Sequence, residues 1–249
     1  MAPAHSKGPA VKMSMIESRA IPVAAQWKAF KETKLYDFLA ASPLISWYML
    51  CVASQLPALA QLVRETDFAA IDVLGAAHLA SKLATLLFVT TLGVLLVLRR
   101  TPLARTSGLY PRFAAIAGAY LGVGVVLLPP RELSAALYLA STALILGGTV
   151  FSLYAVLRLG RSLSMLPEAR RLVTDGPYAV IRHPLYLGEA IALVGLTLQY
   201  FSPTAAALFV VQCAFQLERI KNEEKILSQI FPEYRDYTTR TARLVPGLY

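Results

Sequence analysis

The chain has 249 residues, 56% of them hydrophobic and 16% charged, and its mean hydropathy is +0.54. Such a balance excludes an ordinary soluble domain and asks for a lipid solvent. The net charge of +9 does not indicate a nucleic-acid binder, because the basic residues flank apolar runs and no recognised binding module is present.

The opening stretch, MAPAHSKGPAVK, has no apolar core, which argues against a cleaved signal peptide and for a loose cytosolic segment. Trp27, Phe30, Leu35, Phe38 and Leu39 recur at helical spacing with Lys28, Lys31 and Lys34 between them. That is the pattern of a helix lying in the headgroup layer; the plainer alternative is an extension of the first span. A bilayer core of ~30 Å takes about 20 apolar residues per helix. Charge-free runs over 43–63, 83–98, 113–128 and 133–157 therefore predict four spans. His78 and Lys82 share a face of the second, where unpaired charge is costly, and a structural role outranks a transport path. Gly118 with Gly122, and Ala143 with Gly147, predict close helix contacts. Gly122-Val123-Gly124 sits mid-span with no strand before it, so it reads as packing and not as a nucleotide loop. Beyond Glu189 another charge-free run, 190–217, is broken at Ser202-Pro203 and predicts a helical hairpin. Its first arm, 185–200, reaches only about 24 Å at 1.5 Å per residue, which leaves open whether it crosses fully. Cys51 and Cys213 both lie in apolar runs and read as packing, with neither a disulfide framework nor a metal site.

The expected fold is all-α: a polytopic membrane bundle of four spans plus a C-terminal hairpin. It divides into a cytoplasmic segment with an interfacial helix (1–42), the four spans (43–158) and a C-terminal core carrying the chemistry (159–249). Lys and Arg are concentrated before residue 43 and over 99–112 and 158–182. The alternate loops set Arg64 against Glu65, Asp67 and Asp72, and Arg131 against Glu132. By the positive-inside rule both termini and the basic loops face the cytoplasm, the bacterial inner membrane or its equivalent being the expected location.

The stretch GRSLSMLPEARRLVTDGPYAVIRHPLY, 160–186, is long, rich in donors and interrupts the apolar rhythm, as site-bearing loops do. Asp175-Gly176-Pro177 reads as a turn, and Arg182-His183-Pro184 puts a cation and an imidazole before a helix that starts at Pro184. The free amides of that helix start suit a carboxylate or ribose hydroxyl, with Tyr178 near. On residues alone, His183 fits a ligand contact and a capping or interfacial role equally. Glu189 lies one turn into the hairpin, beside Tyr186, and is expected to border the pocket and meet substrate. At the end of the last apolar helix, Arg219 and Glu223 share a face, although surface ion pairs on a solvated helix end are the plain alternative.

Two stretches, LVTDGPYAVIRHPLYLGE (172–189) and RIKNEEKILSQIFPEYRDYTTRTARLVP (219–246), together with the preceding GRSLS, resemble the isoprenylcysteine carboxyl methyltransferase family and its bacterial relatives. The resemblance lies in G-P-Y, R-H-P-x-Y, R-x-x-x-E-E and F-x-x-Y-x-x-Y occurring together, and the first 150 residues carry none of it. It implies an integral membrane enzyme using S-adenosylmethionine, with Arg171, Leu172, Val173, Tyr178, His183, Pro184, Leu185, Tyr186, Glu223 and Glu224 around the cofactor. It further implies that Arg219 and Glu223 are catalytic, Arg219 facing the substrate's reacting group. Lys221 and Asn222 stand where eukaryotic members carry acidic residues. The expected acceptor is lipid-like or prenylated, with carboxyl O-methylation first; relatives of this tail also methylate phospholipid amines and small thiols. A membrane sterol-type reductase using NADPH, and a non-catalytic transporter, are the readings of other classes. The first is tested by which cofactor raises the melting temperature.

Overall fold

The computed structural model describes residues 23–247; MAPAHSKGPAVK lies outside the described residues. A short helix α1 (Val23–Lys31) is followed by a turn at Glu32, and Thr33 caps α2 (Lys34–Glu65), its hydroxyl accepting from the Tyr36 amide at 3.2 Å. The helix expected over Trp27 to Leu39 is thus two. Trp27 and Phe30 stack on α1 at 5.6 Å, while Leu35, Phe38 and Leu39 open the first span, which takes in Pro43 and Pro57.

Asp72 starts α3 (Val73–Leu98), accepting from the Gly75 amide at 2.8 Å. Helix α4 (Tyr110–Tyr120) runs on as a 3-10 segment, Leu121–Leu127, and α5 (Ala135–Leu159) follows. Lys34–Glu65, Val73–Leu98, Tyr110–Leu127 and Ala135–Ser162 are long and apolar enough to cross a membrane, which makes this a polytopic helical membrane protein. The hairpin is α6 (Pro184–Gln199) and α7 (Pro203–Ile230), with Ser202 capping α7 through the Ala205 amide, and α8 (Tyr234–Arg240) comes after it. At 16 residues, α6 spans about 24 Å, short of the ~30 Å core.

The hairpin's arms pack on different neighbours, α6 along α5 and α7 along α4, so a space opens between them. The α5–α6 seam is backbone against backbone. A Cβ on Gly148 would stand 2.5 Å from the Ala192 amide nitrogen, and one on Gly195 2.5 Å from the Ser141 carbonyl oxygen. Gly118 on α4 admits α7, as expected, and Gly122, in the 3-10 segment that follows, meets Leu193 of α6 most closely while its amide donates to Gln212 Oε1 of α7 at 2.6 Å. Gly147 faces open space instead, and its neighbour Gly148 makes the contact: one residue along a helix turns the side chain by about 100°.

Strands β1 (Ala104–Arg105) and β2 (Glu168–Ala169) pair antiparallel and join two loops at one end of the bundle. There Asp37, 1% exposed, accepts from Arg99 Nε at 2.9 Å, Arg170 Nη2 at 2.9 Å and Arg105 Nη2 at 3.3 Å. Glu168 takes Arg170 at 2.6 Å and Arg105 at 3.3 Å, and Lys34 donates to the Arg99 carbonyl. Five buried or half-buried charges thus tie α2 and α3 to the loop entering residue 171.

Candidate active site

The R-H-P bend and the end of α7 meet at this same end of the bundle. Pro184 at the first helical position sets the start of α6, which buries Leu185 and Tyr186. The Tyr186 hydroxyl donates to Glu223 Oε2 at 2.5 Å. One face of its ring stacks on His183, centroids 5.3 Å apart and planes 7° from parallel, and the Arg219 guanidinium lies 4.4 Å from its centroid. His183 occupies the N-cap position of α6 without capping it by its side chain; the imidazole lies 3.4 Å from Glu224 instead.

Glu224 is the anchor of the tail. Arg182 reaches it at 2.9 Å and Arg243 at 2.8 Å, while Arg182 also donates to the carbonyls of Thr238 and Thr241. Backbone bonds from Arg182 to Ala242 and from His183 to Arg243 seat the tail against the bend, and Tyr237 donates to the Tyr178 carbonyl at 2.6 Å. Burial raises the Glu224 carboxyl, but hydrogen bonds from His183, Arg243 and Arg182 outweigh it and hold the group at about 2.

Two cavities adjoin here. A narrow pocket is lined by Arg171, Leu172, Val173, Tyr178, Leu185 and Tyr186, with Arg182, His183 and Glu223. A larger one, about 680 Å³, lies inside the bundle and ends at Tyr48, Tyr120, Met165, Glu189 and Gln216. Arg219, 2% exposed, lines neither. It stands in the wall between them, against Tyr186 on the narrow side and 3.5 Å from the Met165 carbonyl on the wide side. Its Nη1 has no hydrogen-bond partner among the described residues. The Gln216 amide donates to Glu189 at 3.3 Å, and its own oxygen is unpaired among those residues. A buried donor, Arg219 Nη1, and a buried acceptor, Gln216 Oε1, thus stand without partners among the described residues.

The structure therefore gathers Arg171 to Val173, Tyr178, His183, Leu185, Tyr186 and Glu223 around the narrow pocket. Pro184 is buried in the helix start and Glu224 is engaged by the tail, both outside the lining, and Glu189 opens onto the wide cavity. Sequence reasoning missed Tyr48 and Tyr120, whose hydroxyls bond at 2.7 Å, and Met165, whose sulfur lies 3.9 Å from Tyr48. They come from α2, α4 and a loop, and nothing local in a single sequence marks such long-range partners.

Residues 136–234 match the phospholipid methyltransferase family. The chain is 39% identical to the nickel-cobalt-cadmium resistance protein NccN of Alcaligenes xylosoxydans xylosoxydans over 82 residues, 32% of this chain and 38% of that one. It is 37% identical to protein-S-isoprenylcysteine O-methyltransferase B of Arabidopsis thaliana over 110 residues, 41% of this chain and 56% of the other. With the cobalt-zinc-cadmium resistance protein CzcN of Cupriavidus metallidurans the identity is 35% over 78 residues, 31% and 36% of the two chains. These matches span between about a third and just over half of the relatives' own lengths. Through the segment that carries both the R-H-P bend and the paired glutamates, the chain is similar to the phospholipid methyltransferase family and to protein-S-isoprenylcysteine O-methyltransferases.

Proposed function

We propose that the protein transfers a methyl group from S-adenosylmethionine to a lipid-like or prenylcysteine-type acceptor, methylating a carboxylate oxygen, with the site on the cytoplasmic face. The observation that carries this reading is the pair of cavities sharing one wall of Arg219 and Tyr186, narrow and polar on one side, wide and inside the membrane bundle on the other. The groups that line the narrow pocket suit the cofactor's charged and hydroxyl groups. Tyr178 offers an aromatic ring to a sulfonium, Glu223 a carboxylate to hydroxyl or ammonium groups, and 171–173 a run of backbone. When bound, S-adenosylmethionine supplies a methyl carbon that bonds to the attacking oxygen while the carbon–sulfur bond breaks and sulfur keeps the electron pair.

The protein's own part is alignment and exclusion of water. Arg219 has a planar fork matched to a carboxylate and a free Nη1, so it holds the acceptor at the wall without a general base. Glu189 and Gln216 flank the same place. The basic loops gathered at this end favour a cytoplasmic orientation, and the bundle's interior is where a membrane lipid would enter.

The test is calorimetry of purified protein with S-adenosylmethionine, and with NADPH in parallel. Micromolar-range binding of the first alone is expected, with affinity lowered at least about tenfold in Glu223→Gln, the loss of one charge-assisted hydrogen bond. Binding of NADPH alone, or unchanged affinity in Glu223→Gln and His183→Ala, overturns it.

A further inference from the structure

The wide cavity does not end as an apolar tube. Glu189 at one end and Gln199 at the other stand ten positions apart on α6, about 15 Å along the helix. At the far end Gln199 donates to Ser141 at 3.0 Å, and His78 Nδ1 lies 3.1 Å from the Tyr138 hydroxyl. Lys82, one turn beyond His78 on α3, lines both this end and the adjoining groove between α2 and α3. Among the described residues Lys82 forms no ion pair; Glu65 borders the groove but takes its hydrogen bond from Gln61 at 2.8 Å.

Lys82 is an exposed side chain where the cavity and the groove meet; a lone ammonium at such a place in a membrane bundle is costly unless something meets it, and charge lining a cavity of this kind marks a substrate path. A chain with a single polar head at Arg219 would lay its apolar end against Lys82 and His78. We propose that the acceptor is an elongated amphiphile with a second, anionic end group that rests on Lys82 and His78, roughly one cavity length, ~15 Å, from the reacting group. A cation in the wall beyond the near end, Arg219, and one lining the far end, Lys82, then select two-headed molecules over single-chain lipids, and the far-end residues come from α3, outside the family-matching segment. The inference rests on the proposed function only for what happens at the Arg219 end.

The test is binding of tetradecanedioic acid and of myristic acid to the detergent-solubilised full chain, by native mass spectrometry. Wild type is expected to hold the two-headed acid about tenfold or more tighter, as for one added charged contact. Lys82→Met and Lys82→Gln abolish that preference and Lys82→Arg keeps it, with melting temperatures recorded for each. Equal affinity for the two acids, binding of neither, or a preference that survives in folded Lys82→Met overturns the assignment. Calorimetry with S-adenosylmethionine on the same samples separates the two ideas: absent cofactor binding with an intact Lys82-dependent preference removes the methyltransferase reading and leaves the two-headed site standing.

Discussion

Glu223 and Glu224 are neighbours on α7, yet a rotation of about 100° per residue sends them to different partners. Glu223 meets the Tyr186 hydroxyl and the pocket, whereas Glu224 joins Arg182, His183 and Arg243. The carboxyl of Glu224 sits at about 2 against an ordinary 4.5. A group whose folded value is depressed stabilises the fold above its unfolded value and loses that contribution as pH falls toward the folded one. The window here runs from about 5 down to about 2, and linkage assigns roughly 2 kcal/mol once solvent screening is allowed for. Glu224→Gln is expected to lower the melting temperature in detergent at pH 7 and to narrow its gap to wild type between pH 5 and 3. Thermal melts across that range check it; a gap that stays constant with pH removes Glu224 as the tail's acidic anchor.

The elements were legible where lipid imposes a length. Charge-free runs announced all four spans, but not where their helices begin. Helix α2 starts nine residues before its run, at Lys34, because the charges that seemed to end it are absorbed: Asp37 by three arginines and Lys34 by the Arg99 carbonyl. Likewise α3 begins at Val73 and carries His78, bonded to Tyr138, and Lys82, turned to a cavity. The R-H-P bend and the glutamate pair could be joined in advance through resemblance, since their motifs recur together. The Tyr48–Tyr120–Met165 chain could not, because its members have no shared spacing. Which glycine forms the α5–α6 seam was also beyond pattern, Gly147 and Gly148 being equivalent until the helix phase is known. Phase now makes a prediction. Gly148→Ala would drive a methyl into the α6 backbone and is expected to cost about 2 kcal/mol by overpacking, while Gly147→Ala, facing open space, is neutral or slightly stabilising by helix propensity. Equal melting temperatures for the two variants would contradict the seam.

Seen as one molecule, the chain sets a family-matching C-terminal segment against an N-terminal half that supplies what the segment lacks. Helices α2, α3 and α4 wall the wide cavity, and Asp37 braces the loop that leads into the narrow one. The brace has three arginines on two carboxylates, so Asp37 is the member whose removal leaves the most unbalanced charge. Breaking a buried pair by removing one partner costs about 3–5 kcal/mol, and the strain falls on Arg170, next to Arg171 to Val173 in the pocket lining. Asp37→Asn keeps the shape and removes the charge, and Asp37→Glu restores the charge at altered reach. If the brace positions the cofactor loop, Asp37→Asn weakens S-adenosylmethionine binding by about tenfold, leaves tetradecanedioic acid binding at the far cavity as in wild type, and is partly rescued by Asp37→Glu. A purely global loss of stability would move both affinities together with the folded fraction. Comparing the two ligands on the same folded samples therefore decides whether the N-terminal half merely holds the bundle together or sets the geometry at which its partner segment binds.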